Sequence, residues 1–165
     1  MYWREVSKCD RTAITFAAPH YSIAKPLSAE LGPPGQKIVL FGEDGRALWG
    51  SHRPAPWALR THGVKRMDSF TGHNCFIFRN DGGPQSSDII RQAVAITAIE
   101  WNLAPFITYV AIDKVRRKRD PGRCFIKAGF RKVSRKEKTK HGPMLRFEMG
   151  LDEVRTCVQE FIRGN

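Results

Sequence analysis

Hydrophobic positions along this chain fall into short apolar runs and two stretches of helical spacing, and the changeovers mark its elements. Lys37 to Phe41 and Arg46 to Gly50 are apolar runs separated by Gly42-Glu43-Asp44-Gly45. Asp44-Gly45 has the positive-φ chemistry of a tight turn, so the two runs predict a β-hairpin. Strand character resumes from Cys75 to Phe78. From Ser86 the spacing becomes helical: Ile90, Val94, Thr97 and Trp101 share one face, Ile89, Ala93 and Ile96 lie beside it, and Ser86, Ser87 and Asp88 offer caps. Phe106 to Ile112 follows as a buried strand.

Beyond that strand, Asp120-Pro121 predicts a helix start, because the carboxylate can accept unpaired backbone N–H groups and proline suits the first helical position. Gly129 ends this helix, which turns Cys124, Phe125 and Ala128 inward. Phe130 to Ser134 and Met144 to Met149 read as strands. A last helix from Asp152 to Arg163 places Val154, Cys157, Val158, Phe161 and Ile162 inward and ends before Gly164. Two stretches lack a period. Residues 1–36 carry Tyr2, Trp3, Ile14, Phe16 and Tyr21 at irregular spacing, close with Gly32-Pro33-Pro34-Gly35, and read as irregular or weakly helical. Residues 51–72, with Pro54, Pro56, Gly63 and Gly72, read as a long loop of the kind that is often functional.

A length of 165 residues fits one domain over 1–165, and 41% hydrophobic with 27% charged residues excludes wholesale disorder. No apolar run reaches the roughly 18 to 20 residues of a membrane helix, and the N-terminus lacks a secretory pattern. A soluble, cytoplasmic protein without membrane association is expected. Cys9, Cys75, Cys124 and Cys157 form no Cys-x-x-Cys pair, so they read as small apolar side chains rather than a zinc knuckle or disulfide framework. His20, His52, His62, His73 and His141 are scattered, and no structural metal is expected.

Charge changes the picture most. The net charge is +12, and nearly all of the excess lies in 114–140, where Lys114, Arg116, Arg117, Lys118, Arg119, Arg123, Lys127, Arg131, Lys132, Arg135, Lys136, Lys138 and Lys140 face only Asp120 and Glu137. Such a segment is either a solvated face or a surface that tracks phosphates, and its density favours the second. Trp49, Trp57, Phe70, His52 and His62 flank or occupy the long loop with Arg53, Arg60, Lys65 and Arg66, as stacking and cationic contacts to a base would need. Core packing explains Trp49 and Phe70 equally well.

A hairpin, strand, long helix, apolar strand ending in Ile112-Asp113, short helix closing in Ala128-Gly129-Phe130, and a further strand resembles the GNAT acyltransferase superfamily, over about Lys37 to Met149. The resemblance implies an α/β (α+β) fold with a mixed, mostly antiparallel sheet. Helices would flank the sheet, and two parallel strands would splay to admit acetyl-CoA or another acyl donor. Arg79-Asn80-Asp81-Gly82-Gly83-Pro84 partly matches that family's pyrophosphate loop; Arg79 and Gly82 fit, while Pro84 departs and has no N–H to offer. The donor would then meet Arg79, Asn80, Gly82, Gly83, Ser86, Ser87, Arg123 and Phe125. The plainer alternative is a strand-to-helix loop with glycine for geometry and serine for capping.

Asp113, just past the apolar strand, can accept or orient the proton of an attacking amine; otherwise it is a strand-end turn residue paired with a nearby lysine or arginine. His20-Tyr21-Ser22 joins a proton carrier, a phenol and a hydroxyl. With the hairpin and Asp113 that follow, the triplet resembles the phage DNA-modification family of Mom and its relatives. That resemblance implies transfer to the exocyclic amine of a DNA base in a bacterial or phage-infected cell. His20, Tyr21, Ser22 and Asp113 would form the site, and Lys114, Arg116, Arg117, Lys118, Arg119, Arg131, Lys132 and Arg135 would hold DNA. Transfer to a protein or small-molecule amine, and non-enzymatic binding of nucleic acid or protein, remain as alternatives.

Overall fold

The computed structural model describes residues 1–23, 27–53, 72–114, 120–139 and 142–164, with backbone alone at 134–139 and 142. Alternation builds the centre of the sheet. In β2 (Gln36–Gly42) Ile38 and Leu40 enter one core while Val39 and Phe41 enter another, and in β3 (Ala47–Arg53) Ala47 and Trp49 face the first and Leu48 the second. The hairpin turns where expected: Gly45 has φ +71°, and the Arg46 amide donates to Asp44 Oδ1 at 2.9 Å. β4 (His73–Asn80), β5 (Phe106–Ala111), β6 (Arg131–Thr139) and β7 (Gly142–Met149) continue the sheet.

Residues 1–36 are more ordered than their lack of a period suggests. β1 (Trp3–Val6) pairs antiparallel with β2, and α1 (Arg11–Ala17) follows with Asp10 as its cap, the carboxylate accepting from the Ala13 amide at 2.8 Å. The signal for β1 is long-range: Trp3 is buried because its indole N–H donates to the Ile89 carbonyl at 2.8 Å. The seven strands run β1-β2-β3-β4-β5-β7-β6, all antiparallel except β4 with β5.

α2 (Ser86–Glu100), α3 (Arg123–Ala128) and α4 (Leu151–Gly164) pack on one face with the larger core; α1 covers the other. Three helical expectations need correction. α2 is preceded by Gln85 rather than capped by a serine or aspartate side chain, because Asn80 and Asp88 engage the hydroxyls of Ser86 and Ser87 instead. α3 starts at Arg123, not at Asp120-Pro121. Gly122 takes φ +80° in the turn before it, and the Phe147 ring lies where a Cβ on Gly122 would project. In α4, Val154 and Cys157 are buried, but Ile162 is 64% exposed. No described helix is long and apolar enough to cross a membrane.

Candidate active site between two splayed strands

β4 and β5 are hydrogen-bonded over three rungs only, His73–Cys75 against Phe106–Thr108, and the Thr108 hydroxyl closes the last by donating to the Cys75 carbonyl at 3.0 Å. Past that point β4 follows β3 and β5 follows β7, so a gap opens. Its origin is a β-bulge. Ser51 pairs with Cys75 but Gly50 with Ile77, leaving Phe76 as the extra residue. Cys75 and Ile77, two residues apart, therefore enter opposite cores. A bulge bends and twists its strand. Gly50 permits this one, since a Cβ there would overlap the Phe76 ring and meet Ile77 at 2.7 Å.

Backbone groups along a buried gap need partners, and the segment after α1 supplies them. On the β5 side, the Tyr21 hydroxyl makes a long 3.5 Å contact to the Tyr109 carbonyl and also meets the backbone of Ala111. On the β4 side, His20 bonds the backbone of Phe78. The two rings stack, centroids 4.3 Å apart. His20 Nδ1 accepts from the Ser22 amide at 3.2 Å and lies 2.8 Å from the Ser22 hydroxyl, which assigns the imidazole proton to Nε2.

Electrostatics follow from this enclosure. Burial, assisted by the Arg79 guanidinium and opposed by the Phe78 backbone, pushes His20 down to about 4, so it is a neutral base at pH 7. Burial pushes Tyr21 up to about 12, so it remains a phenol able to donate. Cys75, Cys124 and Cys157 are likewise pushed up by burial and stay thiols.

Tyr21 lines two cavities. A cleft of about 480 Å³ lies on the α2/α3 face, walled by Phe78, Val110, Cys124 and Phe125, with His20, Gln85, Ser86, Ser87, Asp120, Arg123 and Lys127 completing it. A smaller cavity of about 180 Å³ is lined by Tyr21, Ser22, Asn74, Cys75, Phe76, Tyr109 and Met144. The first turn of α2 carries no side-chain cap and opens into the larger cleft.

Of the residues expected to form a site, His20, Tyr21, Ser86, Ser87, Arg123 and Phe125 share the large cleft, and Ser22 lines the small cavity with Tyr21. The loop glycines do not line either cavity. Asn80 holds the loop shut on itself, accepting from the Gly83 amide at 2.8 Å and donating to the Pro84 carbonyl and Ser86 hydroxyl at 2.7 and 2.9 Å; Gly82, at φ +82°, turns the chain. Arg79 points back to α1, donating to the Phe16 carbonyl at 2.6 Å, stacking over the Phe16 ring and pairing with Asp81. Asp113 sits in a 3-10 turn (Ile112–Lys114), 45% exposed, 3.6 Å from Lys114, outside the lining of both cavities.

Among the basic residues, Lys114, Arg131 and Lys132 are exposed, the last two on edge strand β6, where charge also discourages strand addition. Arg116, Arg117, Lys118 and Arg119 lie outside the described residues, as do the side chain of Arg135 and the loop residues Trp57, His62 and Phe70. Trp49 is fully buried against Phe78 and Phe106 as a core residue. Sequence reasoning missed Val110, Lys127, Asn74, Phe76 and Tyr109 as lining residues. Asn74 alone left a trace, a polar residue within an otherwise strand-like run.

No protein-family profile and no curated protein sequence matches the chain. Solved structures do. FeeM, an N-acyl amino acid synthase from uncultured soil microbes, aligns with TM-score 0.60 at 11% identity over 97% of each chain. The aminoglycoside acetyltransferase AAC(6')-Ib in complex with coenzyme A gives 0.58 at 12% over 94% of this chain and 97% of that one. A chimera of spermidine N-acetyltransferase SpeG from Vibrio cholerae and hSSAT gives 0.58 at 10% over 93% and 97%. At these identities the likeness is one of fold.

Proposed function

We propose that this chain, whose sheet has the GNAT fold, transfers an acyl group from a CoA-type thioester in the large cleft to an amine in the small cavity, the amine being part of a nucleic acid. The observation that carries the reading is that Tyr21, at the gap between the parallel strands, lines both cavities. The cleft suits such a donor. Phe78, Val110 and Phe125 offer an apolar wall for an extended arm, and the uncapped first turn of α2, with Arg123 and Lys127 of α3, offers amides and cations for phosphates. With Pro84 lacking an N–H and the Gly83 amide held by Asn80, the loop itself contributes less to that grip.

A bound thioester would supply the electrophilic carbonyl. The chain's own groups then handle protons. As the amine's N–C bond forms, its proton passes to the Ser22 hydroxyl while Ser22 gives its own to neutral His20 Nδ1, 2.8 Å away. When the C–S bond breaks, the Tyr21 phenol donates to the leaving sulfur. Asp113, two residues beyond the end of β5 and outside the lining of both cavities, stands apart from this relay. The exposed Lys114, Arg131 and Lys132 fit the nucleic-acid reading, because side-chain cations that neutralise phosphates release the condensed counterions and give salt-dependent affinity.

Mass spectrometry of nucleosides from cells expressing the chain, beside Tyr21→Phe and Asp113→Ala, tests this reading. A mass-shifted nucleoside with the unmodified protein and none with Tyr21→Phe is expected; persistence in Asp113→Ala would assign proton acceptance to His20 and Ser22. The small size of the acceptor cavity favours one other reading, transfer to a free amine, and the fold neighbours are named for an amino acid, an aminoglycoside and spermidine. Acyl transfer to such amines without nucleic acid, with unmodified DNA, would establish it.

A further inference from the structure

We infer, building on the acceptor cavity of the acyl-transfer reading above, that Phe76 determines acceptor specificity: its ring is the wall that confines an acceptor to the small cavity and turns away amines with a body longer than a single ring. Beyond Phe76 lies a further chamber of about 560 Å³, whose lining includes Ser22, Ile23, Glu30, Pro33 and Pro34. Ser22 and Phe76 line both spaces, and Phe76 is the only large side chain the two share. An acceptor that outgrew the 180 Å³ of the small cavity would therefore have to pass this ring.

The position of the ring follows from the backbone. Phe76 is the extra residue of the bulge in β4, a device that re-aims a side chain. It is half-buried, and its tip lies between two glycines of different segments: a Cβ on Gly32, which has φ +75°, or on Gly50 would overlap the ring. A ring gripped from two sides holds its place, so it acts as a fixed wall rather than a yielding one. The chamber beyond it is apolar through Ile23, Pro33, Pro34 and the ring itself. Among its described lining residues Glu30 is the only charged one, and its carboxylate is held by Lys37 at 3.0 Å and Lys8 at 2.5 Å. Two lysine cations already outweigh that single charge, so the chamber offers no countercharge to a polyamine. Opening the wall extends the acceptor range toward apolar amines alone.

Amide chemical shifts of the ¹⁵N-labelled full chain, titrated with benzylamine, with 4-phenylbenzylamine, which is longer by a ring, and with spermidine, test the assignment. In the unmodified protein benzylamine shifts Asn74 and Tyr109, which line the small cavity and not the chamber, while 4-phenylbenzylamine leaves them in place. In Phe76→Ala the longer amine shifts both residues and binds about tenfold more tightly than to the unmodified protein, whereas benzylamine and spermidine gain nothing comparable. Phe76→Leu keeps an apolar side chain in the core and gives a smaller gain of the same kind, which preserves the test if Phe76→Ala unfolds. Shifts of Asn74 and Tyr109 by the longer amine in the unmodified protein, or no gain in a folded variant, overturn the inference. An equal gain for spermidine also overturns it, because general loosening would produce that result. Steady-state transfer from acetyl-CoA to the two ring amines separates the claims: the stated shifts without transfer to either amine remove the acyl-transfer reading alone, and equal transfer to both in the unmodified protein removes the Phe76 assignment alone.

Discussion

The two halves of the β4–β5 pair differ in what satisfies their inner edges. Over His73–Cys75 and Phe106–Thr108 the strands satisfy each other, and the Thr108 hydroxyl adds a further bond. Beyond the bulge at Phe76 they separate, and His20 and Tyr21, more than fifty residues upstream of Phe78, take over the partnering. The paired half is ordinary sheet. The open half is a cavity wall whose polar groups are held by side chains with perturbed proton affinities, and that difference turns a sheet defect into a place for chemistry.

The comparison breaks most completely at Gly50. Gly50→Val places methyl groups in the volume of Phe76 and Ile77, so the bulge must shift; a loss of about 3 kcal/mol in denaturant unfolding is expected from overpacking. Tyr21→Phe comes next. It keeps the ring in the gap and removes the donor, so acyl transfer falls by about a hundredfold. Its unfolding free energy falls by under about 1 kcal/mol, because the lost 3.5 Å contact is long.

His20 sharpens the comparison through pH. Its folded value, about 4, lies below the ordinary 6.5, so the unfolded chain binds more protons between those values. Its contribution to stability is complete above pH 6.5 and is lost as pH falls toward 4. His20→Gln flattens that limb in pH-dependent thermal melts, whereas an unchanged limb would place the titrating group elsewhere. Thr108→Val acts on the paired half alone, costing about 1 kcal/mol without altering donor affinity in an acetyl-CoA titration. Lys114→Ala has the least effect, within about 0.5 kcal/mol in the same unfolding assay, because its pairing with Asp113 is exposed.

How much of this was legible depended on the range of the interactions involved. The hairpin at Asp44-Gly45, the long helix from Ser86 and the stop at Gly129 rest on local chemistry, and each stands where the pattern places it. β1 was illegible because a four-residue edge strand takes its identity from β2 and from the Ile89 carbonyl, both distant in sequence. The start of α3 was misplaced because local capping preferences say nothing of the Phe147 ring packed over Gly122. His20-Tyr21-Ser22 stood out as a triplet of reactive types, but its position in the gap follows from tertiary packing.

The most direct test is an acetyl-CoA titration of the ¹⁵N-labelled chain followed by amide chemical shifts. The account predicts saturable changes at Phe78, Ser86, Ser87, Val110 and Phe125, reaching Tyr21 at the gap. Shifts confined to the groove between α2 and α4, at Asp88, Arg91, Cys157 and Glu160, or no shifts at all, would contradict it.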